Sequence, residues 1–365
     1  MFRIRITPRW ELGRRDGAAA EGGVPAEADT TALIALLAAI AETGAIAEAA
    51  RVQGLSYRSA WGRIKQAEAL FGQPLLVAGR GRGSTLTPLA EKLIWADKRI
   101  AARLSPLLQS LASELEGELE RTLPVPPRAL RLHASHGFAV AALLEQLQAA
   151  SLGVELRYRN SFESVAALSH GECELAGFHV PIGEFEAAAA QRYAPWLRNE
   201  KHRLVHLAVR TQGLFAAPGN PRRISSVADL RRPDLRFVNR PAGSGTRLLT
   251  ELLLARHGIA PREVAGFDNA EFTHAAVAAF IASGMADVGL GVQTAAQRFG
   301  LHFIPLLRER YFLAFNAADE RRPDLQALLS LMQSPTYRAA VAALPGYEAG
   351  RTGEVCGVRE AGLAA

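Results

Sequence analysis

Residues 45 to 89, AIAEAARVQGLSYRSAWGRIKQAEALFGQPLLVAGRGRGSTLTPL, leave a folding chain few options. Ile46, Ala49, Ala50 and Val52 give a first short helix an apolar side, and Gly54 permits the sharp turn that two steeply crossing helices need. Ser56 is a good N-cap for the next helix. Within that helix Ala60, Ile64, Ala67 and Phe71 recur at helical spacing and face inward, which leaves Tyr57, Arg58, Arg63 and Lys65 outside. Beyond Gly72 and Pro74, two short strands around Leu75–Val77 and Leu86 flank the tip Gly79-Arg80-Gly81-Arg82-Gly83. A helical pair with a polar, basic second helix and a basic hairpin predicts a winged helix-turn-helix. Its second helix would enter a DNA major groove and its wing would track phosphates. The candidate DNA-binding residues are Ser56, Tyr57, Arg58, Ser59, Trp61, Arg63 and Lys65, with Arg80 and Arg82 on the wing. A small helical domain that binds protein instead is the plainer alternative.

The pattern G-(A/S)-I-x-x-A-A-x-x-x-G-(I/L)-S-Y-(K/R)-S-A-W-x-x-I is carried by Gly44, Ile46, Ala49, Ala50, Gly54 to Trp61 and Ile64. It resembles the DNA-binding domain of ModE-type molybdate-responsive regulators, relatives of the LysR type. The glycine-rich wing followed by Leu86-Thr87-Pro88 fits the same resemblance.

Charge supports a nucleic-acid face. Between Arg51 and Arg103 there are ten Lys or Arg against three acids, whereas residues 104–120 hold four glutamates and no basic residue. Such a patch supports salt-sensitive phosphate contact and carries no sequence information. Two cysteines, Cys173 and Cys356, lie far apart without metal-ligand spacing, so no disulfide framework is expected and a reducing cytoplasm fits. The longest apolar run, Ala32 to Ala41, is too short to span a bilayer and lacks the basic lead-in of a signal peptide. The expected location is therefore cytoplasmic, with no membrane partner.

Taken in order, Phe2 to Trp10 alternates apolar and basic residues and predicts a strand added to the wing sheet, and residues 14–26 read as a loop. Asp29 or Thr30 would cap a helix from Thr31 to Thr43. Thr87 and Pro88 open a long helix whose Leu89, Leu93, Ile100, Leu104, Leu107, Leu108, Leu111 and Leu115 continue one apolar face. A small winged domain cannot cover that stripe, so a second subunit is expected to, as in the dimers of the families resembled. Packing within the chain is the alternative. Residues 122–128 (TLPVPPR) form a proline-rich linker.

Beyond it, strands at Leu130–His133, Val154–Tyr158 and Glu174–Phe178 alternate with helices, which predicts an α/β domain with a mainly parallel sheet. A long strand from Leu204 to Phe215, strands at Arg236–Asn239 and Asp287–Leu290, and returning strands at His302–Pro305 and Tyr311–Phe315 make a second unit. The segments NSFESVAALSHGECELAGFHV, NRPAGSGTR and ASGMADVGLGVQ are similar to those of cytoplasmic, helix-turn-helix-fused members of the type 2 periplasmic-binding-protein fold. The expected architecture is a multidomain α/β chain. It has a winged helix-turn-helix (1–87), a dimerisation helix (88–121), a linker (122–128), a two-lobed sensor (129–358, second lobe about 210–310) and a tail (359–365).

In such folds ligands sit between the lobes, over strand carboxyl ends and helix N-termini. Three loops place hydroxyl residues there: Ser135-His136-Gly137, Asn160-Ser161-Phe162 and Gly243-Ser244-Gly245-Thr246. Their N–H groups and hydroxyls favour an oxyanion. His179, Arg240, Arg247, Thr273 and His274 fall at strand ends or helix starts and are further candidates, against capping or surface roles. Gln293 and Tyr311 are candidates placed only by the family comparison. The resemblance implies molybdate or tungstate as effector. The richer set of cations is the argument for an organic anion, including molybdenum cofactor or a pterin precursor. P-loop, HExxH, paired CxxC and G-x-S-x-G patterns are all missing, so no enzyme and no cofactor are expected. An enzyme on the two-lobed fold would have to draw its acid or base from His136, His179 or His274. Cys173, between Glu172 and Glu174, is poorly placed for nucleophilic catalysis.

Overall fold

The computed structural model describes residues 4–13, 27–78, 84–122 and 129–363. The chain divides into two compact units, Thr7–Ala101 and Ala102–Ala365, the latter joined by the first residues of the chain.

In the first unit, strands β1 (Glu11–Gly13) and β2 (Glu27–Asp29) pair antiparallel. Helices α1 (Thr30–Thr43), α2 (Ile46–Val52) and α3 (Tyr57–Phe71) follow, then the hairpin β3 (Leu76–Ala78) and β4 (Ser84–Leu86). Leu36, Ile40, Ile46, Ala49, Ala60 and Ile64 interlock α1, α2 and α3, and each is buried. Gly54 and Gly72 both take positive φ, 65° and 61°, and Gly72 closes α3 as a left-handed C-cap. Leu70 is buried and Phe71 half-buried, so Leu70 takes the inward place expected of Phe71.

The amino-terminal expectation fails. Residues 4–10 form no strand, and among the described residues the β3–β4 hairpin has no third member; Phe2 and Arg3 lie outside the described residues. Pro8 cannot donate to a ladder. The segment is held through side chains instead, with Trp10 Nε1 donating to Asp97 Oδ1 at 3.1 Å and Thr30 Oγ1 donating to the Trp10 carbonyl. The expected loop at 14–26, the wing tip with Arg80 and Arg82, and linker residues 123–128 lie outside the described residues.

Helix α4 (Pro88–Arg121) starts at a Thr87 cap, whose Oγ1 accepts from Ala90 N at 3.4 Å. Its carboxyl-terminal half carries Leu107, Leu111, Leu115 and Leu119, spaced by four and exposed. Its other side is not left for a second subunit. Ser113 Oγ accepts from Leu156 N at 2.7 Å and Ser110 Oγ from Tyr158 N at 2.9 Å.

The second unit is built on one sheet from β5 (Leu130–Ala134), β6 (Val154–Tyr158), β7 (Leu175–Pro181), β8 (His202–Ala216), β9 (Phe237–Val238), β10 (Val288–Val292) and β11 (His302–Asn316), in the order β6-β5-β7-β11-β8-β10-β9. Two short strands, β12 (Tyr347–Glu348) and β13 (Val355–Gly357), add to β8. The sheet is mixed rather than mainly parallel. β5 runs parallel to β6 and β7, and β9 to β10, but β11 is antiparallel to β7 and β8, and β10 to β8. The physical reason is that β8 and β11 are long return strands that run from one half of the sheet into the other and pair along their whole lengths. What read as two strands, His302–Pro305 and Tyr311–Phe315, is this one strand. At their crossing a Cβ on Gly213 would stand 2.2 Å from the Ile304 carbonyl, so only glycine fits.

Around the sheet lie α5 (Phe138–Ala149), α6 (Ser161–Ser169), α7 (Glu186–Tyr193), α8 (Gly245–Arg256), α9 (His274–Ala282), α10 (Gln293–Arg298), α11 (Pro323–Gln333) and α12 (Pro335–Ala342). Residues 359–363 pack against the second unit, with Ala361 and Leu363 buried beside Val358 and Tyr193. No helix among the described residues is long and apolar enough to cross a membrane.

Candidate functional site

In the first unit, Ser56 caps α3 by accepting from Ser59 N at 3.1 Å. Tyr57, Trp61 and Lys65 lie four residues apart on its outer side. The Tyr57 and Trp61 rings stack at 6.4 Å and 9°, and the Lys65 ammonium stands 4.7 Å over Trp61. Lys65 also pairs with Glu68 at 2.7 Å. Tyr57, Arg58, Ser59 and Trp61 are exposed and Arg63 is half-buried. An aromatic pair left in water on a helix flanked by cations is an unusual surface.

In the second unit, the site grows from the crossing strands. Arg210 on β8 is 2% exposed, and its Nε donates to Glu309 Oε1 on β11 at 2.5 Å. Gln212, two residues along on the same face, donates from Nε2 to Glu309 Oε1 at 2.9 Å and to Thr246 Oγ1 at 3.1 Å. Burial alone would discharge Arg210, but Glu309 beside it holds its pKa above the ordinary value.

Around this pair gather the polar ends of four segments. Ser161, the first residue of α6, approaches His179 Nδ1 at 3.3 Å, and the His179 ring lies 3.8 Å from the Tyr311 ring. A Cβ on Gly245 would stand 3.5 Å from Ser161 Oγ and 3.5 Å from His179 Cβ, so the α8 N-terminus closes on both. His274, the first residue of α9, meets β10 at Gly291, where a Cβ would stand 2.9 Å from its Nδ1. Arg240 lies between β9 and α8, 6% exposed.

The electrostatics are lopsided. Burial, and then Arg210, pull the Arg240 guanidinium down to about 9, which leaves it charged at neutral pH. Its Nε and Nη1 have no hydrogen-bond partner, nor do His179 Nε2, His274 Nδ1 or Gln212 Oε1. Burial, with Arg240 and Arg298 next, lowers His136 to about 4. Burial also holds His179 and His274 well below the ordinary imidazole value, with Arg210 and Arg240 as the main charges. All three rings are therefore neutral near pH 7. One buried cation, Arg240, faces the site without a counter-charge of its own.

The structure thus brings together Ser161, His179, Arg240, Gly245, Thr246 and His274, with His136 edge-on to Tyr158 at 5.0 Å and within the field of Arg240. The other candidates have partners within the protein. Arg247 donates to Glu251 at 2.8 Å and stacks 3.9 Å over Phe267. Asn160, Ser244 and Thr273 accept from backbone N–H groups as caps of α6, α8 and α9. Thr273 Oγ1 further donates to the Ala102 carbonyl at 3.2 Å. Ser135 contributes its carbonyl to Tyr311 OH at 3.3 Å, and Gln293 packs where a Cβ on Gly346 would touch it. Arg210, Gln212 and Glu309 were missed. The signal was present: polar residues at i and i+2 inside HRLVHLAVRTQGLFA, and RER inside the partner strand.

Among the described residues no group of three His, Cys, Asp or Glu is arranged to hold a metal. Cys173 is buried, and burial with Glu174 beside it pushes the thiol up to about 12. It is unsuited to attack at neutral pH.

The sequence comparisons agree with this division. The family described as PBP superfamily domain matches residues 144–333, and the family described as bacterial regulatory helix-turn-helix protein, lysR family, matches residues 31–91. The uncharacterized protein YvgK of Bacillus subtilis (strain 168) is 33% identical over 203 residues, 54% of this chain and 64% of its own length. The molybdenum-pterin-binding protein MopB of Rhodobacter capsulatus is 36% identical over 130 residues, 34% of this chain and 47% of its own. The chain thus spans less than two thirds of both. A solved structure of a Corynebacterium glutamicum OxyR mutant aligns over 86% of this chain and 94% of its own, at 15% identity and a TM-score of 0.43. The chain belongs to the PBP superfamily and carries, ahead of that domain, a regulatory helix-turn-helix of the lysR family.

Proposed function

We propose that the protein is a LysR-like, DNA-binding transcription regulator, acting in the cytoplasm, whose PBP-like domain senses a small anion. The observation that carries the effector reading is Arg240, a buried guanidinium with two N–H groups unpartnered and no carboxylate of its own. An anion would supply the missing charge and accept those hydrogens. The ModE-like motif and the similarity to the molybdenum-pterin-binding protein MopB support molybdate or tungstate. The several cationic and imidazole groups around the site, Arg240, Arg210 and three histidines, support as the alternative an organic anion such as molybdenum cofactor or a pterin precursor.

DNA binding is assigned to the exposed Tyr57, Arg58, Ser59, Trp61 and Lys65 with half-buried Arg63, and to Arg80 and Arg82 of the glycine-rich segment that the sequence predicts as the wing tip. The exposed stripe Leu107, Leu111, Leu115 and Leu119 is assigned to a homodimer. The route from effector to DNA is α4. Arg103 binds both carboxylate oxygens of buried Glu271, at 2.9 and 2.8 Å from Nε, three residues before His274. Ser110 and Ser113 hold the opposite half of the domain at β6. A helix tied to both halves feels any movement between them, which is the physical requirement for coupling. The test is calorimetry of the full chain with molybdate, tungstate, sulfate and phosphate, with and without duplex DNA. Binding that is lost in Arg240→Met and that alters DNA affinity supports the reading. An anion that binds equally well in Arg240→Met refutes the site.

A further inference from the structure

The free atoms of the site differ in kind. Arg240 Nε and Nη1 are donors, whereas Gln212 Oε1 is an acceptor, and nothing donates to it. Amide orientations are ordinarily ambiguous, but this one is fixed by chemistry. Gln212 Nε2 stands 2.9 Å from Glu309 Oε1, and a carboxylate oxygen already taking Arg210 Nε can only accept. Turning the amide would set two acceptors against each other. Gln212 Oε1 is therefore the atom left over, on a residue with no exposure to solvent. A buried acceptor without a donor is as much a demand on the ligand as a buried cation is.

We infer that the effector is an anion that carries its own hydrogen, an O–H or N–H that Gln212 Oε1 accepts while Arg240 holds the charge. Hydrogen phosphate, a phosphate monoester with nearby O–H or N–H groups, and a nitrogen-bearing organic anion share this chemistry. Molybdate, tungstate and sulfate at neutral pH carry no hydrogen and leave the acceptor unmet. The carboxylate of Glu309, bonded to Gln212, also disfavours a bare dianion on that side. Gln212 is thus a specificity-determining residue, positioned by Thr246 and Glu309. The inference rests on the anion-site reading above and narrows it.

The experiment compares hydrogen phosphate with monofluorophosphate on the unmodified full chain by calorimetry near pH 8. The two are dianions of nearly equal size, and fluorine replaces the hydroxyl. Sulfate and molybdate complete the set. The expected result is at least about tenfold tighter binding of hydrogen phosphate than of the other three. In Gln212→Met, of similar length and unable to accept strongly, that preference falls to within about twofold while sulfate still binds. Equal binding of hydrogen phosphate and monofluorophosphate overturns the inference and leaves the anion site standing. So does molybdate binding tighter than phosphate. Silence towards all four overturns the anion site itself, and the inference with it. The fluorophosphate comparison needs no variant, so a Gln212→Met chain that fails to fold does not remove the test.

Discussion

Replacing Arg240 by methionine should make the effector-free protein more stable and the effector useless. The guanidinium is 6% exposed, with Nε and Nη1 unpartnered. Burial, and then Arg210 beside it, pull its pKa down to about 9, so holding the charge inside is unfavourable. Exchanging buried charge for apolar volume gains about 1–4 kcal/mol in practice. For a unit of this size each kcal/mol moves the unfolding midpoint by about 2–4 °C. Differential scanning calorimetry at pH 7.5 in buffer free of oxyanions should therefore show Arg240→Met melting several degrees above the parent chain. An anion at about a hundred times its dissociation constant adds about 2.7 kcal/mol to the parent and nothing to the variant, so the order of the two midpoints narrows or reverses. A variant less stable than the parent without ligand would refute the reasoning. It would mean that Arg240 already has its counter-charge.

Three further outcomes are expected. Tyr57→Ala with Arg58→Ala, both on the exposed side of α3, should weaken duplex binding by about tenfold or more and flatten its salt dependence, read by fluorescence anisotropy from 50 to 200 mM salt, while the melting midpoint stays put. Leu111→Glu with Leu115→Glu puts charge into an apolar stripe that is 42% and 43% exposed at these positions, and sedimentation should show a dimer becoming a monomer. His133, His136 and His206 each sit at about 4, chiefly through burial, so the unfolded chain takes up their protons first. Stability then rises with pH across about 4 to 6.5 and is lost on acidification through that window, by a few kcal/mol in all, as urea titrations at stepped pH would record.

The winged helix was legible because its constraints are local. A helix of period 3.6, a Ser56 cap and two glycines at positive φ each act within a few residues, and all appear where periodicity placed them. The strand expected at Phe2–Trp10 failed for the opposite reason. Alternation of apolar and basic residues states that a strand is possible but not that an edge awaits it, and Trp10 found a better partner in Asp97, 87 residues away. The sensor sheet was legible as strands and helices but not as to direction. The βαβ rhythm reports only connections between neighbours, and the antiparallel pairings of β8 with β10 and β11 join residues 72 to 114 positions apart.

The site shows where sequence reasoning stops. Hydroxyl and glycine residues at helix starts were visible because a helix N-terminus announces its own chemistry, and Ser161, Gly245 and Thr246 lie where that logic put them. Asn160, Ser244 and Thr273 answer equally well to the need of a helix for a cap, and each accepts a backbone N–H in that role, which a ligand contact does not exclude. Arg240 and Arg247 were indistinguishable in NRPAGSGTR, seven residues apart and both at the mouth of α8. What separates them is the company each keeps. Arg247 finds Glu251 one turn along its own helix and the Phe267 ring beneath it, whereas Arg240 has Nε and Nη1 without a hydrogen-bond partner and stands near Arg210, whose carboxylate partner Glu309 is already shared with Gln212. An ion pair satisfied within one helix can be read from spacing. An ion pair withheld requires knowing every charge that folding brings near, and that knowledge exists only once β8 and β11 have crossed.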